Sequence, residues 1–486
     1  MEKVDSIIVR MYNTGSVGDC LFLQFMKKNT VSFNMLIDCG GFNTDDASIT
    51  NCAKDIKNTL GNNSLDLVVV THEHLDHVSG FNQAKSVFDT IDFEQVWMGW
   101  TEDPTDPLAK KLKKTLGKKL KALIATLGAN QAKLRSKMTR VGSNKKLSAR
   151  LQSFSNDWDG LMQALHFENG TGLKAAKSLT VANAMTYVKG KSKSKTKEKM
   201  FHMPGDVLRM KGAEGIKFHI LGPPYDDDLS GIKKKTDSSE MYSLTGHVAF
   251  GDHEAFLNAA GASDNDTQFS VSPFSDKFHM AGIEKKKFFA DYNAHDMIWR
   301  QIEEDWLETS EELAIAVNTY TNNTSLVIAM EFEDTGKVLL FPADAQSGNW
   351  MSWENDSVTK ALKKNGGKTA VELLNKTVFY KVGHHGSHNG TASKSGLDRM
   401  NDLVVAMMPL VQDKIPSQWG GKKNFPAKAL YTELIKRTNG AIIRTDEGQI
   451  KDSRAVDLRK KNLSATLQKN LSQADKGLYQ EWTVKH

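Results

Sequence analysis

Three histidines and an aspartate fall within one short run, His72-Glu73-His74-Leu75-Asp76-His77, directly after the apolar stretch Val68-Val69-Val70. Neutral imidazole and carboxylate are the ligands that suit Zn²⁺, Mn²⁺ or Fe. His72 and His74 are two apart, so on extended backbone they point to one side and Glu73 to the other. Glu73 is therefore left out of the ligand set. Asp76 and His77 follow where the chain should turn into a helix. A second group, Gly383-His384-His385-Gly386-Ser387-His388, also follows an apolar run, and a third run, Leu339-Leu340-Phe341, ends at Pro342-Ala343-Asp344. A strand-terminal aspartate alone is usually a cap or turn residue. Three such groups at strand ends are how one metal site is assembled from distant sequence.

The elements that must present these groups are short apolar strands between Gly and Asx turns. Strands are predicted at Ser6–Met11, Leu21–Met26, Met35–Ile37, Leu65–Val70, Ile216–Leu221, Ser325–Met330, Val338–Phe341, Thr377–Val382, Leu403–Met408 and Ala441–Arg444. Helical spacing marks Trp299–Ala316 and Ala427–Arg437, with Trp299, Trp306 and Leu307 read as core. Mixed strands and helices over this length predict a layered α/β architecture. No repeat is evident.

The run at 72–77 resembles the signature of the metallo-β-lactamase fold. Further matches resemble the hydrolase domain of ComEC-type DNA-uptake competence proteins: Val17-Gly18-Asp19, Leu36-Ile37-Asp38-Cys39-Gly40, Asn322-Asn323-Thr324-Ser325-Leu326-Val327, Ala343-Asp344, His384-His385-Gly386-Ser387 and Thr445-Asp446. The resemblance implies an αββα sandwich carrying two large insertions. Residues 1–100, 205–224 and 316–486 would form the core, 101–204 a basic helical and flexible insertion, and 225–315 a partly helical one. It also implies two divalent metal ions, Zn or Mn. His72 and His74 would hold the first, Asp76 and His77 the second, and Asp344 would bridge. One histidine of the 384–385 pair would complete the second site, with His384 preferred. His385 or His388 would then stabilise charge or protonate a leaving group, alongside Asp76 and Asp344 as catalytic carboxylates. Asp38 and Thr71 would stand behind the ligands, Asp38 orienting a ligand histidine; a turn-capping role for Asp38 stays equally open. The match has gaps. Asn322–Ser325 stands where many enzymes of this fold have a further histidine, so one metal has fewer protein ligands. Phe425-Pro426 replaces a His-Pro, and the membrane channel of the competence proteins has no counterpart.

The chain has 486 residues, 39% hydrophobic and 25% charged, which excludes collagen and whole-chain disorder. No apolar run reaches the roughly 18 residues that span a membrane. Cys20, Cys39 and Cys52 form no disulfide framework, and a reducing, cytoplasmic setting is expected. Net charge is +6, but residues 101–200 hold 22 Lys and Arg against 7 Asp and Glu, and the remainder 42 against 51. The basic surface is thus local. Leu108, Leu112, Leu116, Leu120, Ile124 and Leu127 form one apolar helix face there. Lys110, Lys113, Lys114, Lys118 and Lys121 fill other faces as a solvated or phosphate-contacting surface. Residues 189–199, KGKSKSKTKEK, read as a flexible loop. His202, His219, His247, His253, His279 and His295 read as surface or satisfied core histidines, and Asp226-Asp227-Asp228 as a solvated loop. Two dissimilar functions fit best: a phosphodiesterase or nuclease acting on DNA or RNA, and a hydrolase of a lactone, thioester or cyclic nucleotide. A partner-gated effector, with a protein partner on the insertions, is the third.

Overall fold

Strands that are apolar on both faces must be covered on both sides, and most strands of this chain are of that kind. The computed structural model describes residues 2–42, 44–118, 180–194, 200–233, 239–242, 318–415, 424–446 and 477–486. The first sheet contains β1 (Ser6–Tyr12), β2 (Leu21–Lys27), β3 (Thr30–Ile37), β4 (Ser64–Val69), β5 (Asp92–Gly99), β6 (Phe201–His202) and β14 (Tyr479–Lys485), in the order β14-β1-β2-β3-β4-β5-β6. The second contains β7 (Val207–Leu208), β8 (Ile216–Gly222), β9 (Val327–Phe332), β10 (Val338–Phe341), β11 (Thr377–Lys381), β12 (Val405–Met408) and β13 (Ile442–Arg444), in the order β13-β12-β11-β10-β9-β8-β7. From β3 to β6 and from β10 to β13 the pairing is parallel.

Three apolar clusters separate four layers. Leu21, Leu23 and Phe25 of β2 face Ile328, Met330 and Phe332 of β9 across the space between the sheets. The alternate residue Phe22 points outward and meets Ile49, Cys52 and Ile56 of α1 (Asp46–Thr59), Val78 and Phe81 of α2 (Leu75–Gln83), and Val181, Ala184 and Val188 of α3 (Val181–Lys191). On the far side Ala406 and Met408 of β12 join Trp350, Trp353, Leu362, Leu373 and Leu430 of the outer helices. Period-two alternation in the strands thus feeds both the middle and an outer cluster. This is the αββα sandwich that the sequence resemblance implies.

The chain divides into two units, 1–112, 166–245 and 318–486 in the first, 113–165 and 246–317 in the second. Apart from 113–118, the second unit lies outside the described residues. So do the predicted helix over Trp299–Ala316 and the residues His247, His253, His279 and His295. One expectation fails within the first unit. Residues 189–191, read as the start of a loop, are the last turn of α3. The Lys191 ammonium lies over the Phe93 ring, 5.2 Å from its centre, and Lys189 Nζ pairs with Glu102 Oε2 at 2.9 Å. No helix among the described residues is long and apolar enough to cross a membrane.

Candidate metal centre

The His and Asp groups singled out as candidate ligands gather at one end of the two sheets. Asp38 follows β3, Thr71 to His77 follow β4, Asp344 follows β10, and Lys381 to His385 end and follow β11. Parallel strands deliver their carboxyl ends to the same edge, where ligands of layered α/β proteins bind. Asp19 and Asn322–Ser325 reach that edge from the other direction, because β2 and β9 run antiparallel to β3 and β10.

Backbone meets backbone beneath the site. Asp19 N–H donates to Asp76 O, Cys39 N–H to His77 O and Gly40 N–H to Asp19 O, at 3.0, 2.9 and 2.9 Å. A Cβ on Gly40 would lie 2.5–2.6 Å from the Asp76 and His77 backbone, and one on Gly18 would lie 2.3 Å from Gly40 O. Only glycine permits these approaches. Asp38 itself has φ +55°, a conformation that Asp and Asn tolerate better than other side chains.

Four buried side chains converge: Asp76, His77, Asp344 and His385. His385 Nε2 lies 2.9 Å from Asp76 Oδ2 and 3.4 Å from Asp344 Oδ2, and His77 Nε2 lies 3.2 Å from Asp344 Oδ2. The opposite nitrogens are tied back. His385 Nδ1–H donates to Pro409 O at 3.0 Å, and His77 Nδ1–H to Asp38 Oδ2 at 2.8 Å. A carbonyl can only accept, so the His385 tautomer is set and Nε2 faces the cluster. Asp38 also accepts from Thr71 N–H and from Thr71 Oγ1–H, at 2.8 and 2.6 Å. With its proton committed, Thr71 Oγ1 accepts from His72 Nδ1–H at 3.1 Å. One carboxylate thereby fixes two histidines. His72 Nε2 is left facing His74 Nδ1 at 2.9 Å, and the His72 ring lies 4.2 Å from that of His77.

The electrostatics follow from burial and opposite charge. Burial pulls the His77 and His385 pKa values down, but the carboxylates, Asp344 foremost, overcome it. His77 ends well above its usual value and His385 at about 10. Burial raises and the two histidines lower Asp76 and Asp344, and both end below the usual carboxylate value. His72, desolvated and beside other imidazoles, is held well below its ordinary value and stays neutral.

A metal fits here. Asp76 Oδ1, His77 Nε2, Asp344 Oδ1 and Asp19 Oδ1 are buried without a hydrogen bond. Native interiors rarely leave such atoms without a partner, and a divalent cation bound here would satisfy them. Two carboxylates and two imidazoles are also a suitable donor set.

The metallo-beta-lactamase superfamily model matches residues 15–94. No curated protein matches the chain. The matched segment of this superfamily fold spans Asp19, Asp38 and the 72–77 run, while Asp344 and the 384–388 group come from the second sheet, beyond it. Proteins of this superfamily are mostly hydrolytic metalloenzymes, and the buried His/Asp group is a candidate metal site of the kind such enzymes use.

Of the adjacent histidines it is His385, not the preferred His384, that enters the four-residue group. The reason is backbone geometry: His384, His385 and Gly386 have φ of +45°, +52° and +80°, which breaks strand alternation. His384 Nδ1 instead meets Ser387 Oγ at 2.8 Å and Asn389 Oδ1 at 3.2 Å, and burial holds its pKa down at about 4. His388 is exposed. Ser325 Oγ lies 3.4 Å from His72 Nδ1, and the Asn323 side chain is spent on Ile232 O and the Asn349 N–H. Away from the site, His202 packs on Trp97 and His219 bonds Glu331 at 2.8 Å. Asp226 and Asp228 cap the backbone at Gly231 and Ser230. Lys110, Lys114 and Lys118 are exposed and Lys113 half-buried on helix 107–118; Lys121 lies outside the described residues. Two residues at the centre had no role assigned from sequence, Asp19 and Lys381. The signal for Lys381 was a lysine closing an apolar strand, Thr377-Val378-Phe379-Tyr380-Lys381.

Proposed function

We propose that this chain is a divalent-metal-dependent phosphodiesterase that cleaves DNA or RNA. The observation that carries the reading is the buried Asp76, His77, Asp344 and His385 group with its orphaned oxygens and nitrogen. The nucleic-acid substrate is supported by the basic balance of residues 101–200 and by the competence-type motifs. In this reading those four residues hold one ion, and His72 with His74 hold the second, Zn²⁺ or Mn²⁺. Divalent ions held by these residues would supply Lewis acidity, acidifying a bound water and drawing charge from an attacked phosphoryl oxygen. Asp38, Thr71 and the Pro409 carbonyl keep the ligand histidines in the tautomers that coordinate. His384, with Nδ1 occupied by Ser387 and Asn389, keeps Nε2 for a substrate oxygen. Lys110, Lys113, Lys114, Lys118 and Lys121 contact phosphates, which makes binding salt-dependent.

The test is cleavage of labelled linear and circular DNA and RNA with Mn²⁺, Zn²⁺ or Mg²⁺, beside metal content by mass spectrometry. Cleavage should vanish in Asp76→Ala and Asp344→Ala. Metal content should fall in His385→Ala and persist in His384→Ala. Stoichiometric metal with no polymer cleaved under any condition rejects the nuclease and leaves a small-molecule substrate or a partner-gated activity.

A further inference from the structure

The last residue of β11 is a lysine that neither the ligand set nor the tautomer relay employs. Lys381 is 1% exposed. Its Nζ donates to Ala343 O at 3.1 Å, is ion-paired with Asp19 Oδ2, and lies 3.5 Å from Asp344 Oδ1. The two carboxylates flank strands of different sheets, Asp19 just before β2 and Asp344 after β10. β11 is flanked by β10 and β12, and Tyr380 and Val382 on either side of the lysine are buried in the outer apolar cluster. Lysine is almost never buried this completely unless it is paired. Burying an ion pair recovers its desolvation cost only with close geometry and further hydrogen bonds, so such a pair is poor evidence of a stability role.

The environment supplies another role. Asp19, Asp38, Asp76 and Asp344 are all buried at this edge. Asp344 divides its oxygens: Oδ1 faces Lys381, while Oδ2 lies 3.2 Å from His77 Nε2 and 3.4 Å from His385 Nε2. The ammonium is therefore nearest one oxygen of the ligand carboxylate and the imidazoles are nearest the other. We propose that Lys381 is a fixed internal cation of the metal centre, paired with Asp19 and Asp344, which offsets one of four buried carboxylates and so limits how tightly a divalent ion is held. A hydrolytic site gains from that limit, since excess carboxylate charge would also repel an anionic substrate. The inference rests on the reading that this group holds a divalent ion and is independent of the substrate.

The sign is testable without activity. Lys381→Met keeps the apolar stem and removes the charge. Even at the dielectric of bulk water, about 80, a unit charge roughly 6 Å from a divalent ion changes its affinity by about tenfold, and a lower effective dielectric enlarges the change. Zn²⁺ and Mn²⁺ affinity, measured by competition with a chromophoric chelator, should rise by that factor in Lys381→Met. Metal-free Lys381→Met should melt below the wild type, and its gain in Tm on adding metal should exceed the wild-type gain. Asp19→Asn, which leaves the lysine with one carboxylate fewer, should shift affinity the opposite way by a similar factor. The double variant should return close to wild type. A packing role would not give opposite shifts that cancel. Unchanged affinity, or a weakening in both single variants, overturns the proposal. If Lys381→Met does not fold, Asp19→Asn decides alone, and wild-type affinity there overturns the proposal. Should the wild-type chain bind neither ion, the metal reading itself fails and the inference falls with it.

Discussion

Replacing Asp38 by Asn isolates the relay that prepares two ligand histidines at once. The native carboxylate accepts from His77 Nδ1–H at 2.8 Å, Thr71 N–H at 2.8 Å and Thr71 Oγ1–H at 2.6 Å. An amide has one oxygen and places an NH2 where the second carboxylate oxygen was. Asn Oδ1 can keep the Thr71 N–H, but Nδ2 then faces Thr71 Oγ1 and His77 Nδ1 as a donor. His77 answers by moving its proton to Nε2, the nitrogen that must coordinate. Thr71 loses its acceptor, and with it the reason for His72 to donate through Nδ1. Backbone strain does not confuse the result, because Asn tolerates the φ of +55° at this position as Asp does. Loss of such a supporting carboxylate weakens metal binding by about 10–100-fold, or about 1.4–2.8 kcal/mol. The assay is chelator competition at pH 7.5 on the metal-free protein. Thr71→Val, which removes only the hydroxyl, should lose less. Wild-type metal affinity in Asp38→Asn would refute the relay.

Two further outcomes follow from the same geometry. In the metal-free protein His385 titrates at about 10, burial opposing and Asp344 prevailing, so at pH 7.5 it carries a proton that coordination must expel. Its folded value is raised, so its stabilising contribution is complete below the unfolded value of about 6.5 and is lost as pH rises through about 10. Metal loading should therefore release protons, and calorimetric binding heats should vary with buffer ionisation enthalpy; identical heats across buffers would contradict the assignment. Gly40→Ala drives a methyl group to 2.5–2.6 Å from the Asp76 and His77 backbone and should cost about 1–3 kcal/mol, as overpacking does. Denaturant unfolding measures it, and a change below ~0.5 kcal/mol would mean that the two loops part without cost.

What the sequence made legible, and what it hid, has a physical pattern. Strand Val338–Phe341 is apolar throughout and is observed with the predicted bounds. Strand β3 begins at Thr30 rather than Met35: Val31 and Phe33 alternate with Ser32 and Asn34 ahead of the continuous apolar run, and Thr30 and Val31 are exposed. Strand β5 opens Asp92-Phe93-Glu94-Gln95 at a sheet position still exposed to water on one side, and β14 alternates only weakly around buried Gln480, Trp482 and Val484. Neither was predicted. Helix α3 lies within a segment assigned to an insertion, and its Val181, Ala184, Met185 and Val188 show their purpose only beside the strands they cover.

The site divides along the same line. Histidines and aspartates crowded after an apolar strand are legible, since burying them has no stabilising purpose of its own and so points to a ligand. Positioning groups lack that mark. Asp38 reads equally well as a turn cap, and its φ is indeed that of a turn; its hold on His77 and, through Thr71, on His72 exists only once β3 and β4 pair in register. The 384–385 pair shows the limit most sharply. In strand geometry adjacent side chains oppose one another, so composition permits either histidine to enter the cluster. Three successive residues with positive φ, ended by Gly386, turn His385 inward to Asp76 and leave His384 beside Ser387. Ligand type is thus carried by the residues, whereas ligand choice is carried by backbone torsions that the glycines make accessible. A sequence can therefore name the chemistry of this centre more readily than it can say which of two neighbours performs it.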